Sequence, residues 1–195
     1  MAIRVSLPVF SVFHFAYILY NEKNKLERYN RNSRSKKEVF QPHLPVRLPC
    51  YTEQRAIQLD VDTIVCDDLE PIWEIDLEGK WIAWAPEIFG QWRPFGPDYY
   101  NFGVAVLNLE QLRRDRAAFY MIRALNCGKV PFLDQDIMNM FAVPEKSVAM
   151  PSRYNESFCC GQSENPAIVH YAGYPDWMTN PETPRREYLE RYLEA

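Results

Sequence analysis

Two carboxylates set two positions apart inside an apolar run constrain this chain more than any other feature. Arg55-Ala56-Ile57-Gln58-Leu59 reads as a buried strand, Asp60-Val61-Asp62 follows, and Thr63-Ile64-Val65 resumes the apolar character. Alternate residues of a strand point to the same side, so Asp60 and Asp62 are expected to converge on one object where the strand meets a cleft. Ionised carboxylates held together repel and are costly to desolvate, and a divalent cation relieves both costs. Hard oxygen donors of this kind suit Mg²⁺ or Mn²⁺, typically alongside the phosphates of a substrate. A solvated turn is the competing reading of any Asp-x-Asp triplet, and the apolar flanks weigh against it.

A chain of 195 residues can bury one sizeable core but would be cramped as two full domains. The apolar share of 47% marks it as globular, and a formal net charge of −4 gives no reason to expect a nucleic-acid partner. Cys50, Cys66, Cys127, Cys159 and Cys160 show no Cys-x-x-Cys spacing and are odd in number, which argues against a disulfide framework or zinc knuckle. The adjacent Cys159 and Cys160 read as packing rather than redox chemistry. Residues 5–20 are strongly apolar, yet they contain Pro8 and His14 and fall short of the roughly 20 residues a membrane-spanning helix needs. The basic residues of 23–37 follow this run, whereas a cleavable signal places its charge ahead of it. Residues 5–20 are therefore expected to form a core strand or helix, with a cytoplasmic location favoured over a signal-anchored one and membrane association left open. Residues 1–38 read as a divergent N-terminal segment, an apolar stretch plus a basic loop, ahead of a single domain over 39–195.

Along that domain, Pro42, Pro45 and Pro49 make the approach to the central strand irregular. Asp67 or Asp68 can cap a short helix opening near Pro71, with Leu69, Ile72 and Trp73 as its apolar face. A second strand is expected over 81–85, then a loop over 86–98 whose Phe89, Trp92 and Phe95 either pack on the domain or form a sugar-stacking platform. In Tyr100-Asn101-Phe102-Gly103-Val104-Ala105-Val106-Leu107-Asn108-Leu109 a polar Asn and a Gly open a buried strand that faces a cleft. The Gly lets a ligand approach the backbone, and Asn101 offers both donor and acceptor. Residues 110–126 carry the strongest helix signal, with Leu112, Phe119, Ile122 and Leu125 sharing one face and Arg113, Arg114 and Arg116 the other. A second helix begins within Phe132-Leu133-Asp134-Gln135-Asp136, where the acids suit the helix dipole and can be simple caps. A short strand over 147–150 and a charged helix over 185–193 are expected, and Asn155-Glu156-Ser157 is a formal glycosylation sequon. Ala167-Ile168-Val169-His170-Tyr171-Ala172-Gly173 reads as a buried strand that delivers a histidine, a candidate third metal ligand.

Taken together, four stretches resemble glycosyltransferase family 8, the group of glycogenin and the lipopolysaccharide galactosyl- and glucosyltransferases. They are Leu59-Asp60-Val61-Asp62-Thr63-Ile64-Val65 with Asp68-Leu69-Glu70-Pro71-Ile72-Trp73; Tyr100-Asn101-Phe102-Gly103-Val104 with Leu107-Asn108-Leu109; Leu133-Asp134-Gln135-Asp136-Ile137-Met138-Asn139; and Val169-His170-Tyr171-Ala172-Gly173. The resemblance covers roughly residues 39 to 178. It implies an α/β, Rossmann-like GT-A fold with a mixed sheet flanked by helices, dependence on Mn²⁺ (or Mg²⁺), a UDP-sugar donor, and transfer with retention of anomeric configuration. The acceptor, whether glycan, lipid or protein, is not identified by it. Carried over, Asp60, Asp62 and His170 hold the metal, with Asp60 also approaching the donor's ribose or sugar. Asn101 and Gly103 line the donor sugar, Gly173 belongs to the donor site, and Asp134 and Gln135 are the catalytic candidates beside the anomeric carbon and sugar hydroxyls.

Two departures stand against this resemblance. The family usually continues His-x-x-Gly with x-x-Lys-Pro-Trp, whereas Asp176 stands where the lysine would touch the donor phosphate, and an acid there is repulsive. The strand-helix units that hold the base and ribose have little counterpart ahead of Leu59, so a short or N-terminally incomplete form is expected. A non-catalytic relative that binds a glycan or partner is the competing reading. A metal-dependent phosphohydrolase is a weaker third, because the additional Asp/His cluster of a two-metal site is missing.

Overall fold

In the computed structural model, residues 9–10, 54–89, 98–125, 133–142 and 144–194 are described. The readings of the remaining N-terminal residues, the three prolines, Trp92 and Phe95 lie outside them. Strands β1 (Val9–Phe10), β2 (Arg55–Leu59), β4 (Ile82–Pro86), β5 (Tyr100–Asn108) and β6 (Ser147–Ala149) form a five-stranded sheet in the order β1-β2-β5-β4-β6. The β1/β2 and β4/β6 pairs are parallel and both neighbours of β5 are antiparallel to it, so the sheet is mixed. Two further strands, β3 (Thr63–Val65) and β7 (Ile168–His170), pair antiparallel in a small separate sheet.

The apolar run of β5 is continuous because both faces of the strand are covered. On one face Trp84, Phe102, Ala105 and Leu107 pack with Ala117, Met121, Ile137 and Met138. On the other, Ile57, Leu59, Val104 and Val106 pack with Leu69, Ile72, Met150 and Ile168. Phe102 and Val104 therefore face opposite sides although they are two residues apart. The pairing explains this: Trp84 opposes Ala105 whereas Ala85 opposes Asn101, so residues 102–104 bulge out of register with β4. A third cluster of Ile64, Val169, Tyr171 and Leu189 attaches the small sheet to helix α5 (Arg186–Glu194). Arg185 reinforces it by pairing with the buried Glu156 at 3.0 Å.

Three expectations are corrected. The Asp60 region is not a continuous strand: β2 ends at Leu59, the chain turns through an exposed Val61, and Thr63 Oγ1 closes the turn on the Asp60 carbonyl at 2.7 Å. The predicted helix over 110–126 is two helices, α2 (Leu109–Arg114) and α3 (Ala117–Leu125), broken where Arg116 takes a φ of 55°. The break re-phases the second half, so Ala117 and Met121 are buried while Phe119 is 38% exposed. The short helix α1 (Glu70–Trp73) opens near Pro71 as expected, but its N-cap is Leu69 rather than Asp67 or Asp68; Asp68 Oδ1 accepts from the Glu70 amide at 3.0 Å from one residue ahead of the cap. Helix α4 (Leu133–Phe141) completes the set, and no helix among the described residues is long and apolar enough to cross a membrane. Cys66 and Cys160 are free thiols, and burial pushes the Cys160 thiol up to about 12, which suits packing rather than redox chemistry.

The helix break has a chemical anchor in Asp115. Its carboxylate accepts from Lys146 Nζ at 2.8 Å, Trp81 Nε1 at 2.6 Å and Gln111 Nε2 at 2.8 Å, which ties the break to β4 and to the residue ahead of β6. The Lys146 bond, then that of Trp81, brings the Asp115 carboxyl down to about 2 from 3.8. A carboxyl whose folded value is depressed contributes stability that is present above its unfolded value and lost as the pH falls through the folded one. Asp115→Asn is therefore expected to lower stability at neutral pH by about 1–2 kcal/mol. In urea melts the gap from wild type should close as the pH falls from about 4 to about 2.

Candidate active site

The end of β2, the bulged start of β5, the end of β7 and the first turn of α4 come together around Asp60. The turn after β2 is held on both sides: the Asp60 amide donates to the Gly103 carbonyl at 2.8 Å, and the Tyr171 amide donates to the Asp62 carbonyl at 2.9 Å. Thr63 pairs with His170 in the small sheet, which brings the imidazole against both carboxylates. His170 Nε2 lies 3.4 Å from Asp62 Oδ1 and 3.7 Å from Asp60 Oδ2. Asp60 and Asp62 do converge, through a turn rather than by strand alternation.

Gly103 makes this packing possible. A Cβ there would fall 2.0 Å from His170 Cε1, so any side chain would evict the ring. The expectation that this glycine admits a ligand is refined: what it admits is the histidine. Gly173 is different, with a φ of 81° and open space where a Cβ would stand, so it serves the turn after β7. Together with Asp60, Val61, Asp62, Tyr174, Pro175 and Trp177 it lines an open cleft of about 510 Å³. Trp177 stacks on Tyr171 at 4.7 Å between ring centres, which fixes that wall. Asp176 is absent from the lining: it is exposed, and its carboxylate accepts from Asn180 Nδ2 at 3.1 Å. The acid at the expected lysine position thus faces away, and no Lys or Arg among the described residues lines the cleft.

Burial raises the Asp60 carboxyl to about 6, against the pull of His170 and with added repulsion from Asp62 and Asp134. Burial also acts on Asp62, but the hydrogen bond and charge that the His170 ring offers in its protonated form outweigh it and hold that carboxyl below its usual range. Asp60 Oδ1 is buried without a hydrogen-bond partner. Two carboxylate oxygens and one imidazole nitrogen, all within 4.8 Å of one another, form a donor set that fits a divalent ion of the Mn²⁺ or Mg²⁺ type.

Asp134 sits at the start of α4, partly buried, with Oδ1 accepting from the Gln135 amide at 3.0 Å; burial raises its carboxyl. Asp136 is no helix cap: it is fully buried and accepts from the Tyr99 hydroxyl at 2.6 Å. The Gln135 amide is engaged at both ends by protein, with Oε1 accepting from the Phe102 amide at 3.0 Å and Nε2 donating to Glu87 Oε1 at 3.0 Å and the Tyr99 hydroxyl at 3.1 Å. Asn101 is likewise occupied, donating to Glu87 and accepting from the Gly103 amide and Asn155 Nδ2. Asn155 in turn meets His170 Nδ1 at 2.8 Å. Sequence reasoning missed Glu87 and Asn155. The first was readable as an acid directly following an apolar strand, and the second was read as a sequon, which its complete burial makes inaccessible in the folded chain.

A profile described as "Glycosyl transferase family 8" matches residues 9–177. Glycosyltransferase GlyB of Streptococcus pneumoniae serotype 4 (strain ATCC BAA-334 / TIGR4) is 26% identical over 143 residues, which cover 64% of this chain and 35% of that protein. Among solved structures, the galactosyltransferase LgtC in complex with donor and acceptor sugar analogues superposes with a TM-score of 0.57 at 22% identity, covering 73% of this chain and 60% of that one. The glycosyltransferase GlyE of S. pneumoniae TIGR4 gives 0.59 at 25% identity, covering 72% and 39%. The fold is thus the GT-A glycosyltransferase fold, and the chain spans about a third of the length of GlyB.

Gly103 provides a test of the ligand set. Gly103 has no positive φ, so Gly103→Ala meets a steric conflict at His170 and no left-handed backbone penalty. We expect the variant to fold while its affinity for Mn²⁺ falls by at least about tenfold in calorimetric titration; unchanged affinity would remove His170 from the ligand set.

Proposed function

The chain belongs to glycosyltransferase family 8, and on that premise we propose that it transfers a sugar from a nucleotide-sugar donor, in our reading a UDP-sugar, to an acceptor. We further propose that transfer is metal-dependent and retains the anomeric configuration. One observation carries the reading: two carboxylates that line a cleft and a buried histidine nitrogen lie within 4.8 Å of one another. Asp60, Asp62 and His170 would hold the ion, which in such a reaction offsets the charge growing on a departing diphosphate.

The chain's own groups supply the rest. Tyr174, Pro175 and Trp177 wall the cleft beside the ligand set and shield it on one side from water. Asp134 lies close enough to Asp60 to raise its carboxyl, so an ionised Asp134 can oppose positive charge developing at a sugar carbon bound there. Gln135 and Asn101 tie the bulge of β5 to Glu87 and so hold in shape the backbone against which His170 packs. With no Lys or Arg along the lining among the described residues, neutralisation of a diphosphate falls on the ion.

That same lack of a basic group favours a second reading, a relative with impaired donor binding that acts by binding a glycan or partner. Calorimetric titration with UDP separates the two. The enzyme reading expects UDP binding with Mn²⁺ present, none without it, and none in Asp62→Ala; no metal-dependent binding by the wild-type chain would sink it. A screen of nucleotide sugars for Mn²⁺-dependent hydrolysis then identifies the donor. On that donor Asp134→Asn is expected to lower turnover by about 10²–10³-fold while leaving UDP affinity unchanged.

A further inference from the structure

The hydrogen bonds behind His170 have a direction that is set by the backbone. Gly103 N–H can only donate, so the Asn101 atom it meets at 2.9 Å is the side-chain oxygen. The Asn101 nitrogen then faces Glu87 Oε1 at 3.1 Å, and whatever reaches Asn101 Oδ1 from Asn155 at 2.9 Å must be the Asn155 nitrogen. This leaves the Asn155 oxygen toward His170 Nδ1 at 2.8 Å, and an amide oxygen can only accept. Nδ1 must therefore carry a proton, and Nε2 is the ring nitrogen left facing Asp60 and Asp62.

We propose that Asn155, oriented by Asn101 and the Gly103 amide, is a positioning residue that holds His170 in its Nδ1–H tautomer and so keeps Nε2 available as a metal-ligating lone pair. Asn155 is placed for this by backbone contacts: its amide closes the short turn over Ser152–Tyr154 at 2.9 Å, and the next residue, Glu156, bridges to Val169 beside His170. Asn155, Asn101 and His170 are all at most 5% exposed, so water does not compete for these bonds. The Asp–Asp side of the ring gives no such orientation, because acceptors there favour a proton on Nε2, the tautomer that cannot ligate. An amide on the far side decides the matter, and the outer partner of a ligating histidine commonly fixes its tautomer in this way.

The role rests on the metal-binding reading given above, and two measurements keep them apart. The first is the ¹⁵N spectrum of the His170 ring in the metal-free full chain, assigned by its loss in His170→Gln and recorded at a pH high enough for the ring to be neutral. Protonation at Nδ1 is expected; protonation at Nε2 would overturn the positioning role. The second is Mn²⁺ titration of two variants. Asn155→Leu removes the acceptor and should weaken binding by about 10- to 100-fold, whereas Asn155→Asp keeps the acceptor toward Nδ1, though it sets an oxygen against Asn101 Oδ1, and should lose less than about tenfold. Equal losses in both variants, or none in Asn155→Leu, would reduce Asn155 to a packing residue. If Asn155→Leu fails to fold, a loss beyond about tenfold in Asn155→Asp is itself contrary to the proposal. Absence of Mn²⁺ binding by wild type would sink the metal reading, while the ring spectrum still judges the tautomer.

Discussion

Repulsion between Asp60 and Asp62 is the constraint around which the cleft is built. Neither carboxylate is free to move away: one is pinned through its backbone to β5, the other through its backbone to the residue after β7. Burial raises the cost of charging Asp60, and His170 and the Gln58 side chain offset only part of that cost. Such an arrangement is unfavourable in isolation and becomes favourable with a cation among the donors. The surrounding architecture makes sense as the means of enforcing it. A nine-residue strand bulges at Gly103, the glycine yields its side-chain volume to His170, and Gln135 and Asn139 from α4 clamp the bulge through backbone amides of β5.

The polar groups that perform this clamping form one connected layer. Glu87, Tyr99, Asn101, Gln135, Asp136, Asn139 and Asn155 are joined by bonds between 2.6 and 3.1 Å, and nearly all are buried. A buried polar group without a partner costs about 1–3 kcal/mol. Interior polar side chains on this scale therefore persist only as a satisfied network, which rigidifies the floor beneath a binding site.

How much of this was legible in the sequence depended on whether the signal was local. The strands around Ile57, Trp84 and Val106 announced themselves by runs of apolar residues, and the Asp-x-Asp stood out because its neighbours are apolar. The turn at Val61 did not, since a residue that is 72% exposed looks in sequence like one more strand position. The break between α2 and α3 was hidden because its cause is Asp115 binding Lys146 and Trp81, residues more than thirty positions away. Asn155 was illegible as a site residue for the same reason: its meaning lies in partners that only the fold brings near. The outward turn of Asp176 likewise follows from its capture by Asn180, a contact that spacing alone did not reveal.

The small sheet has a mechanical consequence. Asp60 extends from the five-stranded sheet, whereas Asp62 and His170 travel with β3 and β7, which are joined to helix α5 and anchored by Glu156 and Arg185. The three donors thus come from two sheets that share one core, and an ion held among them would act as a rivet between those sheets. Such a rivet would add to the seam already made where Ile168 packs with Ile57 and Leu59, so that occupancy of the site and cohesion of the two sheets become linked.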